Sequence, residues 1–306
     1  MKLIRTEDAV GHVLCHDMTQ IIKDKYKDAR FRKGHVVTEE DIPVLLSMGK
    51  EHLYVWEMTP GMVHENDAAE RLLTLCGQEN MLRSEVKEGK IELKAACDGV
   101  FLVDSQRLIA VNSQEEVMIA TRKGGTAVRA GDKLAGMRVI PLIIAEEKLQ
   151  KAERAAGGEP LLSLKPYVRK TACIVATGGE VKKGLIQDTF TPVVIDKLKT
   201  YSIETLEVVY SGDGVENVRD AVLAMRERKP DMILCTGGMS VDPDDSTPVM
   251  GLPGCVMYAG ATVFDLVLPK VAADVSVTRA DIAAMGEGGL CLGCKPCRYP
   301  VCPFGK

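Results

Sequence analysis

The hydrophobic and polar positions after residue 170 follow two alternating patterns. Short, continuous apolar runs predict buried strands over residues 172–176, 203–210 and 231–235. Between these runs, apolar residues three or four apart predict helices over residues 191–199 and 215–228. Strands that alternate with helices are typical of a parallel, doubly wound sheet with helices on both faces. The pattern therefore predicts an α/β domain in this part of the chain.

Before residue 165 the patterns are shorter and more mixed. Residues 38–48 have the apolar spacing of a helix that Gly49 ends, and residues 68–76 predict a second helix. Residues 90–144 carry short alternating or β-branched runs that predict strands, among them Leu108–Val111. The patterns divide the chain into five predicted parts: a small α+β module over 1–60, a connector helix over 61–84, a β-rich domain over 85–165, the α/β domain over 166–285 and a cysteine-rich tail over 286–306.

The composition narrows the classes of function. The net charge is −4 and the chain has no long block of lysine and arginine, so it lacks the positive surface expected of a general nucleic-acid binder. The chain has neither an apolar run long enough to span a bilayer nor an apolar signal segment near Met1, so we expect a cytoplasmic protein with no membrane partner. Residues 23–33 carry six basic residues that could meet an anionic ligand, although a solvated surface is the default interpretation.

Glycine-rich loops follow three of the predicted strands. They are Thr177-Gly-Gly-Glu180, Ser211-Gly-Asp-Gly214 and Thr236-Gly-Gly-Met239. Because the carboxyl ends of parallel strands meet at one edge of a sheet, we expect these loops to lie close together, where such sheets bind ligands. Glycines without Cβ atoms let backbone N–H groups approach a phosphate. The loops therefore predict a phosphate-binding site.

The third loop continues into a group of acidic residues. Asp242, Asp244 and Asp245 offer the hard oxygen ligands that Mg²⁺ accepts. Taken alone, this segment is more typical of a polar surface turn rich in glycine, proline and aspartate. Its position after one of three similar loops favours the interpretation as a magnesium site.

The same loops resemble the molybdenum-cofactor biosynthesis domain shared by MogA, MoeA and the gephyrin-type proteins. The match covers about residues 170–275, with a looser one over residues 1–165, as in MoeA-like proteins of microbial type. The residues that carry it are Ala176-Thr-Gly-Gly-Glu-Val181 with Gly184 and Asp188, Gly212-Asp213, Thr236-Gly-Gly-Met-Ser240 with Asp245, and Gly251-Leu-Pro-Gly254.

The resemblance implies a function and a set of site residues. In that family the domain binds the phosphate or adenylylated end of molybdopterin and, with a divalent cation such as Mg²⁺, inserts molybdate into the dithiolene. The acidic positions of the family match Glu180, Asp213 and Asp245. The implied cofactor-binding residues are Thr177, Gly178, Gly179, Gly212, Thr236, Gly237, Gly238, Met239, Ser240, Pro253 and Gly254.

The chain departs from the family in two places. Gly179 stands where the family often has an acidic residue, so one candidate ligand is missing. Residues 236–247 have loop chemistry throughout, whereas a parallel crossover to a strand at residue 249 needs about a dozen residues with a helix. Either the usual crossover segment is absent from the protein, or a segment is missing from the sequence between Asp245 and Val249.

Other functions stay open at this point. A carrier or sensor of finished cofactor, with a metal-binding cysteine tail, would use the same phosphate site without turnover. Gly179 and the cysteine tail both favour that alternative slightly. The related domain of CinA-type nucleotide-pyrophosphatase-like proteins is a third interpretation, although those proteins carry it at the amino terminus. The choice between molybdenum and tungsten, and the oligomeric state, with a homo-oligomer among the alternatives, also stay open.

Four of the ten cysteines lie close together in the tail. Cys291, Cys294, Cys297 and Cys302 have the spacing C-x₂-C-x₂-C-x₄-C-P, one residue longer than a ferredoxin-type run. Four thiolates can also surround a tetrahedral Zn²⁺, and a cytosolic setting disfavours disulfides. The spacing favours an iron–sulfur cluster narrowly over zinc, and a flexible tail with reduced cysteines is the alternative.

Overall fold

The computed structural model describes residues 2–22, 26–56, 60–236, 241–242 and 247–305. They form two compact units. Unit 1 comprises residues 1–94, 103–122 and 133–163, and unit 2 comprises residues 95–102, 123–132 and 164–306. The division into five parts that the sequence suggested stays a prediction. Among the described residues, no helix combines the length and apolar character that a membrane crossing requires.

The first part of unit 1 is built on short strands. Its elements are β1 (Lys2–Arg5), a 3₁₀ turn (Thr6–Asp8), β2 (Val13–Leu14), β3 (Met18–Ile22), β4 (Tyr26–Phe31), α1 (Asp41–Ser47), β5 (His52–Trp56), β6 (Met62–His64), α2 (Glu65–Leu75) and β7 (Met81–Arg83). The strands pair as an antiparallel sheet β1-β5-β2 and a hairpin β3-β4. Leu14, Leu45 and Leu53 are fully buried between the sheet and α1. The predicted helices over 38–48 and 68–76 are confirmed as α1 and α2.

The middle of the chain is mixed rather than purely β. Its elements are β8 (Lys90–Ala95), β9 (Gly99–Val103), α3 (Ser105–Asn112), β10 (Val117–Thr121), β11 (Thr126–Val128), β12 (Lys133–Val139), β13 (Ile143–Ala145), α4 (Glu146–Ala156) and β14 (Leu162–Pro166). The predicted strand over Leu108–Val111 is wrong, because those residues lie in α3. The Asp104 side chain accepts the Arg107 N–H at 3.0 Å and so begins this helix.

The charged helix α4 belongs to unit 1 and is not a free linker. Leu149, Ala152 and Ala156 are buried along one side of it. Arg71 of α2 forms ion pairs with Glu146 and Glu153 of α4, with nitrogen–oxygen distances of 2.7 Å in both. The alternation of charged and apolar residues therefore marks an amphipathic helix with a core-facing side.

Unit 2 contains the predicted alternation of strands and helices. Its elements after β14 are β15 (Thr171–Thr177), α5 (Gly179–Lys182), α6 (Phe190–Lys199), β16 (Glu204–Ser211), α7 (Val215–Arg226), β17 (Met232–Thr236), β18 (Val241–Asp242), β19 (Val249–Leu252), α8 (Cys255–Tyr258), α9 (Val263–Ala272) and α10 (Arg279–Ala284). The strand order is β16-β15-β17-β19-β18, parallel except for the edge strand β18.

Successive residues of the inner strand β15 face opposite sides of this sheet. Ile174 packs into a core with α6, α8 and α9. Val175 packs on the other face with Met225 of α7. Both faces are therefore covered, which confirms the predicted doubly wound α/β fold.

The connection between β17 and β19 departs from the usual parallel crossover. These two strands are parallel neighbours, with Ile233 opposite Val249. The structure has no helix among the described residues of the connection, and Val241–Asp242 pairs antiparallel with Val249–Met250 at the sheet edge. Along the chain, the short edge strand β18 thus comes between β17 and β19. This agrees with the prediction that the residues of this segment favour a loop.

Candidate functional site

The carboxyl ends of three parallel strands of unit 2 meet as the sequence predicted. Thr177, the last residue of β15, is in register with Ser211, the last residue of β16. On its other side, the Thr177 N–H donates to the Thr236 hydroxyl at 2.9 Å, and the Thr177 hydroxyl donates to the Thr236 carbonyl oxygen. Two hydrogen bonds, both donated by Thr177, thus join the starts of the first and third glycine-rich loops.

The first loop turns sharply at its first glycine. Gly178 has φ of 139°, a conformation that residues with a side chain rarely adopt, and its N–H donates to the Ser211 carbonyl at 3.2 Å. The Gly179 N–H donates to Asp213 Oδ2 at 3.3 Å. A Cβ atom at Gly179 would lie only 3.1 Å from that oxygen. The missing side chain therefore lets this loop approach the aspartate of the second loop.

The second loop is held by its own helix. The Asn217 side chain donates to the Asp213 carbonyl oxygen at 2.7 Å, one turn into α7. A Cβ atom at Gly212 would lie 3.6 Å from Asn217 Nδ2 and 4.0 Å from Lys182 Cδ. An amide donor and a lysine side chain thus lie beside the glycine, and both suit an anion such as a phosphate.

Two residues at this edge were not among the predicted site residues. Asp188 accepts the N–H groups of Phe190 and Thr191 at 2.9 and 3.0 Å, and the Tyr210 hydroxyl donates to its other oxygen at 3.2 Å. Burial acts to raise the pKa of Asp188, but these hydrogen bonds outweigh burial and hold the pKa below its ordinary value. The second residue that was not predicted is Lys182. The pair of adjacent lysines at residues 182 and 183 was the feature of the sequence that could have indicated it.

The remaining predicted residues are placed as follows. Glu180 lies exposed on the short helix α5. Pro253 and Gly254 follow β19. The structure does not describe Gly237, Gly238, Met239, Ser240, Asp244 and Asp245, nor the side chain of Asp242. Their assignment to the site stays a prediction.

The cysteine tail lies on unit 2. The Tyr299 hydroxyl donates to the Asp265 carbonyl oxygen of α9 at 2.8 Å, and Phe304 is buried. The four tail cysteines are free thiols, and Cys297 Sγ lies 2.8 Å from the position of a Cβ atom at Gly260. Within the described ranges, no three His, Cys, Asp or Glu side chains are grouped to hold a metal ion. The tail cysteines as placed do not form a metal site, and the cluster stays a prediction.

Comparison with protein families matches two segments of the chain. Residues 173–250 match the model described as "Probable molybdopterin binding domain", and these residues contain the three strand ends and their loops. Residues 3–57 match a domain of unknown function, DUF8806.

The curated relatives share a short segment with this chain. A CinA-like protein of Mycobacterium tuberculosis is 32% identical over 80 residues, which are 26% of this chain and 19% of that protein. A CinA-like protein of Mycobacterium marinum is 31% identical over 80 residues. The chain thus spans about a fifth of the length of the curated relatives that it matches.

Two solved structures are similar at low identity. A molybdenum cofactor biosynthesis protein from Pyrococcus furiosus is 12% identical with a TM-score of 0.26, over 90% of this chain and 63% of that one. The molybdopterin biosynthesis Mog protein from Mycobacterium ulcerans is 18% identical with a TM-score of 0.26, over 34% of this chain and 93% of that one. At these TM-scores, neither likeness bears on function.

Proposed function

We propose that residues 173–250, which match the model of a probable molybdopterin-binding domain, bind molybdopterin at the carboxyl edge of the parallel sheet. The hydrogen bond between Gly179 and Asp213 supports the proposal most strongly, because it joins two loops that belong to different strands. Together with the bonds between Thr177 and Thr236, it makes a single surface out of three strand ends.

The proposal assigns the phosphate or adenylylated end of molybdopterin to the glycine-rich loops. Gly178, Gly179 and Gly212 present backbone without Cβ atoms, and Lys182 adds a positive charge beside Gly212. Thr177 and Thr236 hold the loops in register. By resemblance, Gly237 to Ser240, Pro253 and Gly254 complete the binding surface.

We assign the reaction, as a proposal, to Mg²⁺-dependent insertion of molybdate into the bound pterin. Glu180, Asp213 and Asp245, with Asp242 and Asp244, supply the carboxylates that a hard cation requires. A cation held there would offset the charge of phosphate and molybdate. The residues of the chain would contribute orientation of the two reactants, and the scheme needs no protein nucleophile.

Replacing Asp245 with asparagine tests the catalytic part of this proposal. A neutral amide is a poorer ligand for Mg²⁺ than a carboxylate, so we expect the Asp245→Asn variant to lose Mg²⁺-dependent molybdate insertion by about 100-fold or more while its melting temperature is unchanged. The measurement is the yield of metal-loaded pterin at a series of Mg²⁺ concentrations. An unchanged yield and Mg²⁺ dependence would reject the role of Asp245.

A carrier or sensor of the cofactor is the second candidate. Gly179 favours it, because the family often has an acidic residue there and a side chain at this position would crowd Asp213. The two candidates differ in one result. A carrier retains molybdopterin but shows no insertion of molybdate in the wild-type protein at any Mg²⁺ concentration.

A further inference from the structure

A polar cleft is lined entirely by residues of unit 1. It has a volume of about 570 Å³, within the range of sites for small molecules. Strand β4, the segment after it, and the starts of α1 and α2 form its walls. The residues that matter for its chemistry are Arg30, Lys33, Gly34, His35, Glu65 and Glu88.

A buried carboxylate faces this cleft. Glu65, the first residue of α2, is only 4% exposed, and neither of its side-chain oxygens accepts a hydrogen bond from the part of the chain that the structure describes. Burial raises the pKa of Glu65, and the Glu88 charge adds to this effect, whereas the charges of Arg138 and Lys33 oppose it. A mostly buried carboxylate that lines a cleft and receives no hydrogen bond from the described residues offers both of its oxygens to a ligand there.

The neighbouring side chains that the structure describes donate no hydrogen bond to the Glu65 carboxylate. His64 is adjacent, but its Nε2 donates to the Gly34 carbonyl at 2.9 Å and its Nδ1 accepts the Asn66 N–H at 3.2 Å. Gly34 and Gly89 lie against the carboxylate with φ of 87° and 66°. A Cβ atom on either glycine would come within 2.8 Å of a Glu65 side-chain oxygen. Both glycines therefore leave room for this side chain and its approach from the cleft.

Positive charges line the same cleft. Arg32 is 3.9 Å from Glu88, and His35 Nε2 is 2.7 Å from Asp41 Oδ2, so these two side chains already have acidic partners. Arg30 and Lys33 have no ion-pair partner within the described ranges of the chain. The cleft thus offers the mostly buried carboxylate of Glu65 and two cations, Arg30 and Lys33, and the exposed carboxylate of Glu40 also lines it.

We propose that this cleft binds a small anion that also carries a planar edge with two N–H donors, as in guanine and pterin rings. Two parallel donors satisfy the two oxygens of Glu65 with none left over, whereas an ammonium group would bring a third donor. The phosphate or carboxylate of the ligand meets Arg30 and Lys33. The inference does not depend on the function proposed for unit 2.

Calorimetric titration of the full chain with three probes tests this proposal. Guanosine monophosphate and pterin-6-carboxylate carry the donor edge and an anion, and adenosine monophosphate carries the same phosphate as the first without that edge. We expect at least one of the first two to bind about tenfold more tightly than adenosine monophosphate. Stronger binding of guanosine monophosphate identifies a nucleotide as the source of the ligand, and stronger binding of pterin-6-carboxylate identifies a pterin.

Three variants locate the binding. Glu65→Gln offers one acceptor in place of two, so it should weaken the preferred probe about 10- to 100-fold. Arg30→Ala removes an exposed cation and should weaken every anionic probe, which keeps the test valid if the first variant folds poorly. Glu39→Gln removes an exposed carboxylate outside the cleft and should change nothing. The melting temperature of Glu65→Gln should not fall, because the substitution removes an unpaired buried charge.

Other outcomes would overturn the proposal. Failure of both guanosine monophosphate and pterin-6-carboxylate to bind would do so, as would equal binding of adenosine monophosphate. Binding that survives both Glu65→Gln and Arg30→Ala but is lost in Asp213→Ala would belong to the parallel-sheet site and would also contradict it.

Discussion

Replacement of Asp265 with alanine is expected to destabilise unit 2 by about 3 kcal/mol. The Asp265 side chain binds Lys197 of α6 through Oδ1 and accepts the Thr262 N–H at 2.7 Å through Oδ2. The side chains of Asp265 and Lys197 are only 9% and 16% exposed, so the substitution leaves a nearly buried charge and a buried N–H without partners. We expect a loss of stability at the low end of the range for a broken buried ion pair, because the Lys197 side chain can extend towards solvent.

Hydrogen exchange of peptides from α6 and α9 measures this effect within unit 2, as the change in the free energy of opening. Asp196→Ala is the matched control, because Asp196 pairs with Lys199 on the same helix while both side chains are more than two-thirds exposed. We expect that control to change the free energy by less than about 0.5 kcal/mol. Equal protection in Asp265→Ala and Asp196→Ala would show that the buried pair does not hold α6 and α9 in place.

Removal of the Asp213 carboxylate is expected to weaken molybdopterin binding about 10- to 100-fold, the loss of one or two charge-assisted contacts. In Asp213→Ala, the Gly179 N–H loses its acceptor and the proposed Mg²⁺ site loses a ligand. The backbone carbonyl of residue 213 still accepts the Asn217 amide, so the start of α7 should persist. Titration of molybdopterin under anaerobic conditions measures the change in dissociation constant.

Glu216→Ala is the control for the Asp213 variant. It removes the same charge from the exposed first turn of α7, three residues further along the chain. We expect its dissociation constant to stay within about twofold of the wild-type value, because a solvated charge is screened. If both variants weaken binding equally, the loss is not specific to Asp213, and the role proposed for its carboxylate in binding is wrong.

The sequence predicted the α/β domain well because each of its elements has a strong local signal. Buried parallel strands such as 172–176 are continuous apolar runs, and Gly178 and Gly214 mark backbone turns at positive φ. The convergence of the loops then follows from topology alone, since all three preceding strands are parallel. Fold and approximate site could therefore be inferred together.

Features that depend on packing were not predictable in this way. The run Leu108–Val111 has strand-like composition, but the Asp104 cap makes it a helix. Tyr210 looks like any strand residue until Asp188 is seen beside it. In the sequence, Glu65 has the pattern of an ordinary acidic residue at the start of a helix. Its burial depends on Gly34 and Gly89, which are distant in the sequence. Contacts of this kind leave no local pattern.

Binding of molybdopterin at the carboxyl edge of the parallel sheet in unit 2 can be measured directly. The wild-type full chain is incubated with molybdopterin without oxygen, free ligand is removed, and the retained pterin is quantified by mass spectrometry. We expect close to one molybdopterin per chain. Retention at the level of a protein-free blank, from protein that is fully folded by circular dichroism, would contradict it.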